Sequence, residues 1–171
     1  VGLADVRASV VGYNTLLSGY VRLANELRPD IPMLCEQLLN EMMDANDEDS
    51  NTYPDVTSFN AVIKAWGKTK RKNSAARCEY WLRKMIAESQ PNSRSSRYGG
   101  GDEQTMRIAQ PNTKTYNLVM DAWLQMDEPD AARVQDLLLE MKYSDIVSPD
   151  SESYSKVIRA WLKDELHTGG H

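Results

Sequence analysis

The sequence predicts an all-α fold made of helical hairpins, and three observations carry that prediction. One short segment recurs four times, its apolar residues are spaced at three, four and seven positions, and a proline followed by Asp or Asn precedes three of the copies. Apolar residues at that spacing share one face of a helix, whereas a half-buried strand demands strict alternation. Self-similarity at a period of roughly 20 to 50 residues marks a repeat array.

The first element of each unit is the recurring segment. Its copies are Tyr13-Asn14-Thr15-Leu16-Leu17-Ser18-Gly19-Tyr20, Phe59-Asn60-Ala61-Val62-Ile63-Lys64-Ala65-Trp66, Tyr116-Asn117-Leu118-Val119-Met120-Asp121-Ala122-Trp123 and Tyr154-Ser155-Lys156-Val157-Ile158-Arg159-Ala160-Trp161. A small residue, Gly19, Ala65, Ala122 or Ala160, precedes the last aromatic and predicts close approach of a neighbouring helix. The stripe reads as packing core, not as a cofactor box.

The second element is another amphipathic helix. Ala75-Ala76-Arg77-Cys78-Glu79-Tyr80-Trp81-Leu82-Arg83-Lys84-Met85 aligns without a gap on Ala131-Ala132-Arg133-Val134-Gln135-Asp136-Leu137-Leu138-Leu139-Glu140-Met141. The run from Cys35 through Leu38 and Leu39 to Met42 fits the same register. Each full unit is thus a predicted helical hairpin.

Pro54-Asp55, Pro111-Asn112 and Pro149-Asp150 punctuate the units. Proline biases the residue before it away from helix, and Asp or Asn is a favoured N-cap for the helix that follows. The predicted organisation is residues 1–9 as the end of a preceding unit, 10–55, 56–112 and 113–150 as three repeats, 151–166 as the first helix of a fourth, and 167–171 as a tail. Insertions fall after the Met: an acidic loop from Asp44 to Asn51, and a Ser-, Gly- and Arg-rich stretch from Ser89 to Gln110. The latter composition predicts disorder over about residues 91–106. Each hairpin needs a neighbour to cover its apolar face, so Tyr154, Val157, Ile158 and Trp161 are expected to be partly exposed and the array to continue in a longer protein. The opening on Val1 and the end at His167-Thr168-Gly169-Gly170-His171 fit that expectation, with any targeting segment lying outside the chain.

Composition narrows the function classes. At 171 residues, 41% hydrophobic and 26% charged, the chain is large enough for a globular core. No apolar run approaches the roughly 18 residues of a membrane span. Cys35 and Cys78 fall on apolar stripes without partners at metal spacing, so they read as small core hydrophobes in a reducing compartment. Net charge is −5, but residues 41–55 carry six acidic residues and no basic one, which leaves +1 for the rest. Lys64, Lys68, Lys70, Arg71 and Lys72 form a basic cluster that either meets phosphate or solvates a helix end. No catalytic role, metal, cofactor or small-molecule substrate is expected. The chain lacks a His-x-Glu with paired cysteines and a phosphate-cradling glycine loop, and Asp44, Asp47, Glu48 and Asp49 lack the glycine and terminal glutamate of a calcium loop.

Tyr-Asn at the head of the first helix, Met near the end of the second and Pro-Asp at the junction together resemble the pentatricopeptide repeat family, over residues 10–166. Val56-Thr57-Ser58-Phe59-Asn60 and Thr113-Lys114-Thr115-Tyr116-Asn117, with the Pro-Asp or Pro-Asn before them, carry the motif in register. The resemblance implies a right-handed superhelical solenoid of antiparallel helix pairs. It also implies binding of single-stranded RNA along the concave side, one base per repeat, in RNA processing within a mitochondrion or plastid.

In that family the residue after the aromatic and the residue after the junction proline face the base. Here the pairs are Asn14 with Asp55, Asn60 with Asn112 and Asn117 with Asp150, while Ser155 has no second member in the chain. Asn offers donors and an acceptor to a Watson–Crick edge, and a nearby carboxylate biases which base fits. By the family's pattern Asn with Asp favours uracil and Asn with Asn favours pyrimidines, which implies a pyrimidine-preferring protein. A purely N-capping role is the other reading of Asp55, Asn112 and Asp150. Recurrence of Asn, a mediocre helix former, at one first-turn position argues for a role beyond propensity.

Two residues before the aromatic, where the family places a wedge against bases, stand Val11, Thr57, Lys114 and Glu152, of which Val11 alone is aliphatic. Nine residues after it stand Arg22, Lys68, Gln125 and Lys163. The resemblance implies RNA-backbone contact for Arg22, Lys68 and Lys163, with solubilising surface cations as the alternative. The units are longer than the family's usual repeat. Two other functions fit the same hairpins: a protein-binding scaffold similar to tetratricopeptide repeats, and a structural subunit of an organellar ribonucleoprotein assembly. The overall acidity favours the scaffold, whereas the Trp that family carries early in its first helix stands late here.

Overall fold

A computed structural model describes residues 9–44, 52–89 and 109–168. Among these residues the fold is all-α, without strands, in seven helices. They are α1 (Val10–Leu23), α2 (Asp30–Asp44), α3 (Val56–Gly67), α4 (Ser74–Glu88), α5 (Thr113–Leu124), α6 (Ala131–Lys142) and α7 (Ser151–Thr168). The expected disorder around residues 91–106, most of the acidic loop and residues 1–8 lie outside the described residues.

The loops inside the hairpins, residues 24–29, 68–73 and 125–130, are equal in length, while those between units differ. Length variation therefore sits on one edge of the stack, as the repeat alignment predicts. In the second hairpin Thr69 Oγ1 lies 2.8 Å from Ser74 Oγ at the loop, Cys78 Sγ donates to the Ile63 carbonyl at 3.2 Å, and the Phe59 and Trp81 rings sit 6.3 Å apart edge to face. The second helix thus runs back along the first. The pairs α1/α2, α3/α4 and α5/α6 pack together, and the first helices α1, α3, α5 and α7 pack one on the next.

Local sequence explains where the helices begin. The Ser9 side chain accepts from Gly12 N, Asp55 from Ser58 N, Asn112 from Thr115 N, Asp130 from Arg133 N and Asp150 from Ser153 N. Each satisfies one of the orphan amides of a helix start. At Asp55 and Asn112 the third residue returns a hydroxyl to the cap's own N–H, closing a capping box. Ser153 does the same at Asp150.

The core is one cluster drawn from all seven helices. Cys35, Leu39 and Met42, Cys78, Leu82 and Met85, and Val134 and Met141 are fully buried, and Leu138, in register with Leu39 and Leu82, is buried to 8% exposure. Burying each aliphatic side chain stabilises by about 1.5 to 3 kcal/mol. The first-helix stripe divides by position. The fourth residue after the aromatic is buried at Leu17, Ile63 and Met120 but exposed at Ile158; the third is exposed at Leu16 but buried at Val62 and Val119.

The third position therefore faces the preceding unit and the fourth faces the helices that follow. This corrects the expectation of a uniformly packed stripe: Leu16 is 51% exposed because no described element lies before α1. Tyr154, Ile158 and Trp161 are exposed at the opposite end, and Val157 is partly buried, as expected. The small-residue expectation divides the same way. Ala65, Ala122 and Ala160 are buried, and a Cβ on Gly67 would meet Ala122 at 3.7 Å, an ordinary van der Waals contact between α3 and α5. Gly19 is exposed, with nothing near the place of its missing Cβ.

Candidate nucleic-acid interface

The first turns of α1 and α5 each place an asparagine against the start of the next first helix. Asn14 Nδ2 donates to both carboxylate oxygens of Asp55, at 3.1 and 3.2 Å, and its Oδ1 accepts from the Ser58 hydroxyl at 2.6 Å. Asn117 repeats the arrangement, with Nδ2 to Asp150 at 3.2 Å and Oδ1 from Ser153 at 2.8 Å. The Asp150 carboxyl is held below the usual carboxylate range by the Ser153 backbone N–H, then by Asn117 and the Ser153 hydroxyl. Two of the three residue pairs named from the sequence are thus in direct contact, across 41 and 33 residues.

The third pair is not. Asn112 turns its Oδ1 to the backbone N–H and hydroxyl of Thr115, at 3.0 and 3.1 Å, and makes no hydrogen bond with Asn60. Asn60 is 8% exposed and its Oδ1 has no hydrogen-bond partner. An Asn cap offers one oxygen where Asp offers two, and here that oxygen is already taken by the cap itself.

The other candidate positions lie outside these clusters. Val11, Thr57, Lys114, Glu152 and Ser155 are exposed, and Ser155 Oγ donates to the Ser151 carbonyl at 2.7 Å. Arg22 is exposed in the last turn of α1. Lys68 and Lys163 are committed elsewhere: Lys68 Nζ donates to the Val21 carbonyl at 2.7 Å, and Lys163 Nζ to the Leu124 carbonyl at 2.9 Å. Each caps the C-terminal end of the preceding first helix, where a cation is favoured, and keeps further N–H groups free. Within the basic cluster Lys70 pairs with Glu26 at 2.7 Å.

A second recurring arrangement escaped the sequence reading. Glu36 on α2 receives Arg77 from α4, through Nε at 2.6 Å and Nη2 at 2.8 Å, together with the indole N–H groups of Trp66 at 2.7 Å and Trp81 at 2.5 Å. The aligned Glu79 on α4 receives Arg133 from α6 through Nε at 2.9 Å and through Nη2, and Arg83 at 3.1 Å. Gln135 on α6 continues the series by accepting from Trp161 at 2.9 Å. Trp123, which stands where Trp66 and Trp161 do, is the exception: its buried Nε1 has no partner, Glu79 being filled by the two arginines. The signal was present in the gapless alignment of Arg77 on Arg133 and Glu79 on Gln135, but pairing across units is a tertiary fact.

Burial decides the chemistry of the remaining candidates. It pushes the Cys35 thiol up to about 12, with Glu36 adding to the shift, and raises Cys78 further. Neither is a nucleophile at neutral pH. Among the described residues no three His, Cys, Asp or Glu side chains converge to hold a metal ion, and no helix is long and apolar enough to cross a membrane. No family model, curated protein or solved structure matches the chain.

Proposed function

We propose that the chain is a right-handed superhelical solenoid of the pentatricopeptide type that binds single-stranded RNA, one base per repeat and with a pyrimidine preference, in the RNA processing of a mitochondrion or plastid. One observation carries the reading. The asparagine after the first aromatic meets the aspartate after the next junction proline twice, with the same partners, in hairpins that pack in sequence. These are the residues the resemblance assigns to a single base. Each cluster keeps capacity for a ligand, since the second Nδ2 hydrogen and the outer carboxylate lone pairs remain unfilled.

The experiment is fluorescence anisotropy with labelled uridine-rich and adenosine-rich oligonucleotides over a salt series. The expected result is tighter binding of the uridine-rich strand, with affinity falling as salt rises because phosphate contacts release counterions. Equal affinity for both strands removes base reading, and no binding removes RNA.

A protein-binding scaffold is the second reading, favoured by the engagement of Lys68 and Lys163 on helix ends and by the net charge of −5. Retained binding of a protein partner with no RNA binding is its expected outcome. A structural subunit of an organellar ribonucleoprotein assembly combines the two and predicts both activities.

A further inference from the structure

The three unit junctions differ in the residue that precedes the proline. Of the seven prolines in the chain, Pro149 alone follows a serine or threonine. Ser148 is exposed and lies between α6 and α7, outside any helix, and its hydroxyl takes part in no hydrogen bond among the described residues. Pro149 holds Ser148 in extended backbone, the form in which a chain crosses a kinase active site. The other junctions carry Tyr53, whose hydroxyl donates to Glu88 at 3.2 Å, and Gln110, which has no hydroxyl.

The position of Ser148 gives a phosphate there two opposite effects. Its carbonyl accepts from Thr113 Oγ1 at 2.9 Å, which sets it against the first turn of α5, where the exposed Lys114 follows. Two residues further on, Asp150 caps α7 and accepts from Asn117 at 3.2 Å. A phosphate at this place lies beside the starts of two helices, whose dipoles favour an anion, so the fold accommodates it. For a polyanion the effect is reversed. The phosphate adds a charge of about −1.5 to −2 next to Asn117 and Asp150, and Lys114 is the exposed cation on hand to pair with it.

We propose that Ser148 is a phosphorylation site for a proline-directed serine/threonine kinase, and that its phosphate closes the third unit to RNA. The second half rests on the RNA-binding reading; the modification itself does not. In the transfer the Ser148 Oγ attacks the γ-phosphorus of ATP, the bond to the β,γ-bridging oxygen breaks, and ADP leaves. The hydroxyl proton passes to the catalytic aspartate of the kinase.

The test treats the full native chain with a purified mitogen-activated protein kinase, magnesium and ATP, and maps the product by mass spectrometry. One phosphate, at Ser148, is expected, and none in S148A. Fluorescence anisotropy then compares the phosphorylated and untreated chains on a labelled uridine-rich strand. Phosphorylation is expected to weaken binding by about tenfold at low salt, and by less as salt rises and screens the repulsion. S148D, with a single charge, is expected to weaken binding by about threefold, while S148A binds as the parent does. Circular dichroism accompanies each form, and mapping on the unsubstituted chain carries the first half of the test even if a variant fails to fold. Failure of the native chain to take phosphate at Ser148 overturns the site. Full phosphorylation with unchanged RNA affinity overturns the closing of the third unit and leaves RNA binding standing. Absence of RNA binding by the untreated chain overturns the RNA reading and the closing with it.

Discussion

The guanidinium of Arg77 grips the carboxylate of Glu36 with two N–H groups, at 2.6 and 2.8 Å, and so ties α4 to α2. The same carboxylate accepts from the indole N–H groups of Trp66 and Trp81, and Trp81 is only 1% exposed.

Substitution E36A is expected to destabilise the protein by about 3 kcal/mol, measured as the shift in urea midpoint at constant slope. Most of that loss comes from the orphaned Trp81 N–H. The Arg77 end is 41% exposed, so solvent screens much of the broken ion pair. E36Q keeps one acceptor oxygen and is expected to cost about half as much. Equal stability of E36A and the parent would show that the network contributes nothing.

Glu79 makes stability sensitive to acid. Burial pushes its carboxyl up, but the hydrogen bonds and charge of Arg133, with those of Arg83, outweigh burial and hold it below the ordinary value of 4.5. A carboxyl depressed in the folded state contributes stability in full above its unfolded value and loses it as pH falls through the folded one. Urea midpoints are therefore expected to fall below about pH 4.5, and E79Q to flatten that part of the profile. An unchanged profile in E79Q would place the acid sensitivity elsewhere.

Leu16 and Leu17 are neighbours in sequence with opposite fates. L17A is expected to cost about 2 to 5 kcal/mol as a core truncation, and L16A under about 1 kcal/mol. At the other end the order of positions reverses: I158A is expected to be mild, while I63A, at the same place in the second repeat, is severe. Thermal midpoints of the four variants check the rule, and comparable losses at Leu16 and Leu17 would break it.

Both thiols are buried. A disulfide-exchange reagent at neutral pH is expected to modify neither cysteine in the native protein and both in denaturant. The ordinary thiol value is 9.0, and burial moves Cys35 to about 12. Fast labelling of either residue in the native state would mean that α2 or α4 opens locally.

The hairpin pattern was legible in the sequence because it depends on short-range physics. Helix periodicity set the stripes from Tyr13 to Trp161, proline and Asx residues set the junctions at Asp55, Asn112 and Asp150, and the Met at the end of each second helix set the register. Asn14 and Asp55, and Asn117 and Asp150, were named from the sequence as pairs expected to face one base; that they touch each other is a tertiary fact. The contacts follow once each first helix packs on the next.

Chain periodicity alone does not say which neighbour a residue meets, and there the tertiary structure decided. Leu16 and Leu17 share one stripe, yet only packing from a single side separates them. Glu36 and Glu79 look like surface acids on amphipathic helices; they are buried because the next unit delivers Arg77 or Arg133 to them. Asn60 carries the motif of Asn14 and Asn117, and one cap oxygen too few leaves it unanchored. The sequence by itself determined the seven helices of the described residues and their order, since those depend on residues three and four apart. The structure decided which carboxylates, hydroxyls and amides satisfy one another, since a hydrogen bond between units depends on distances of a few tenths of an ångström that no local pattern encodes.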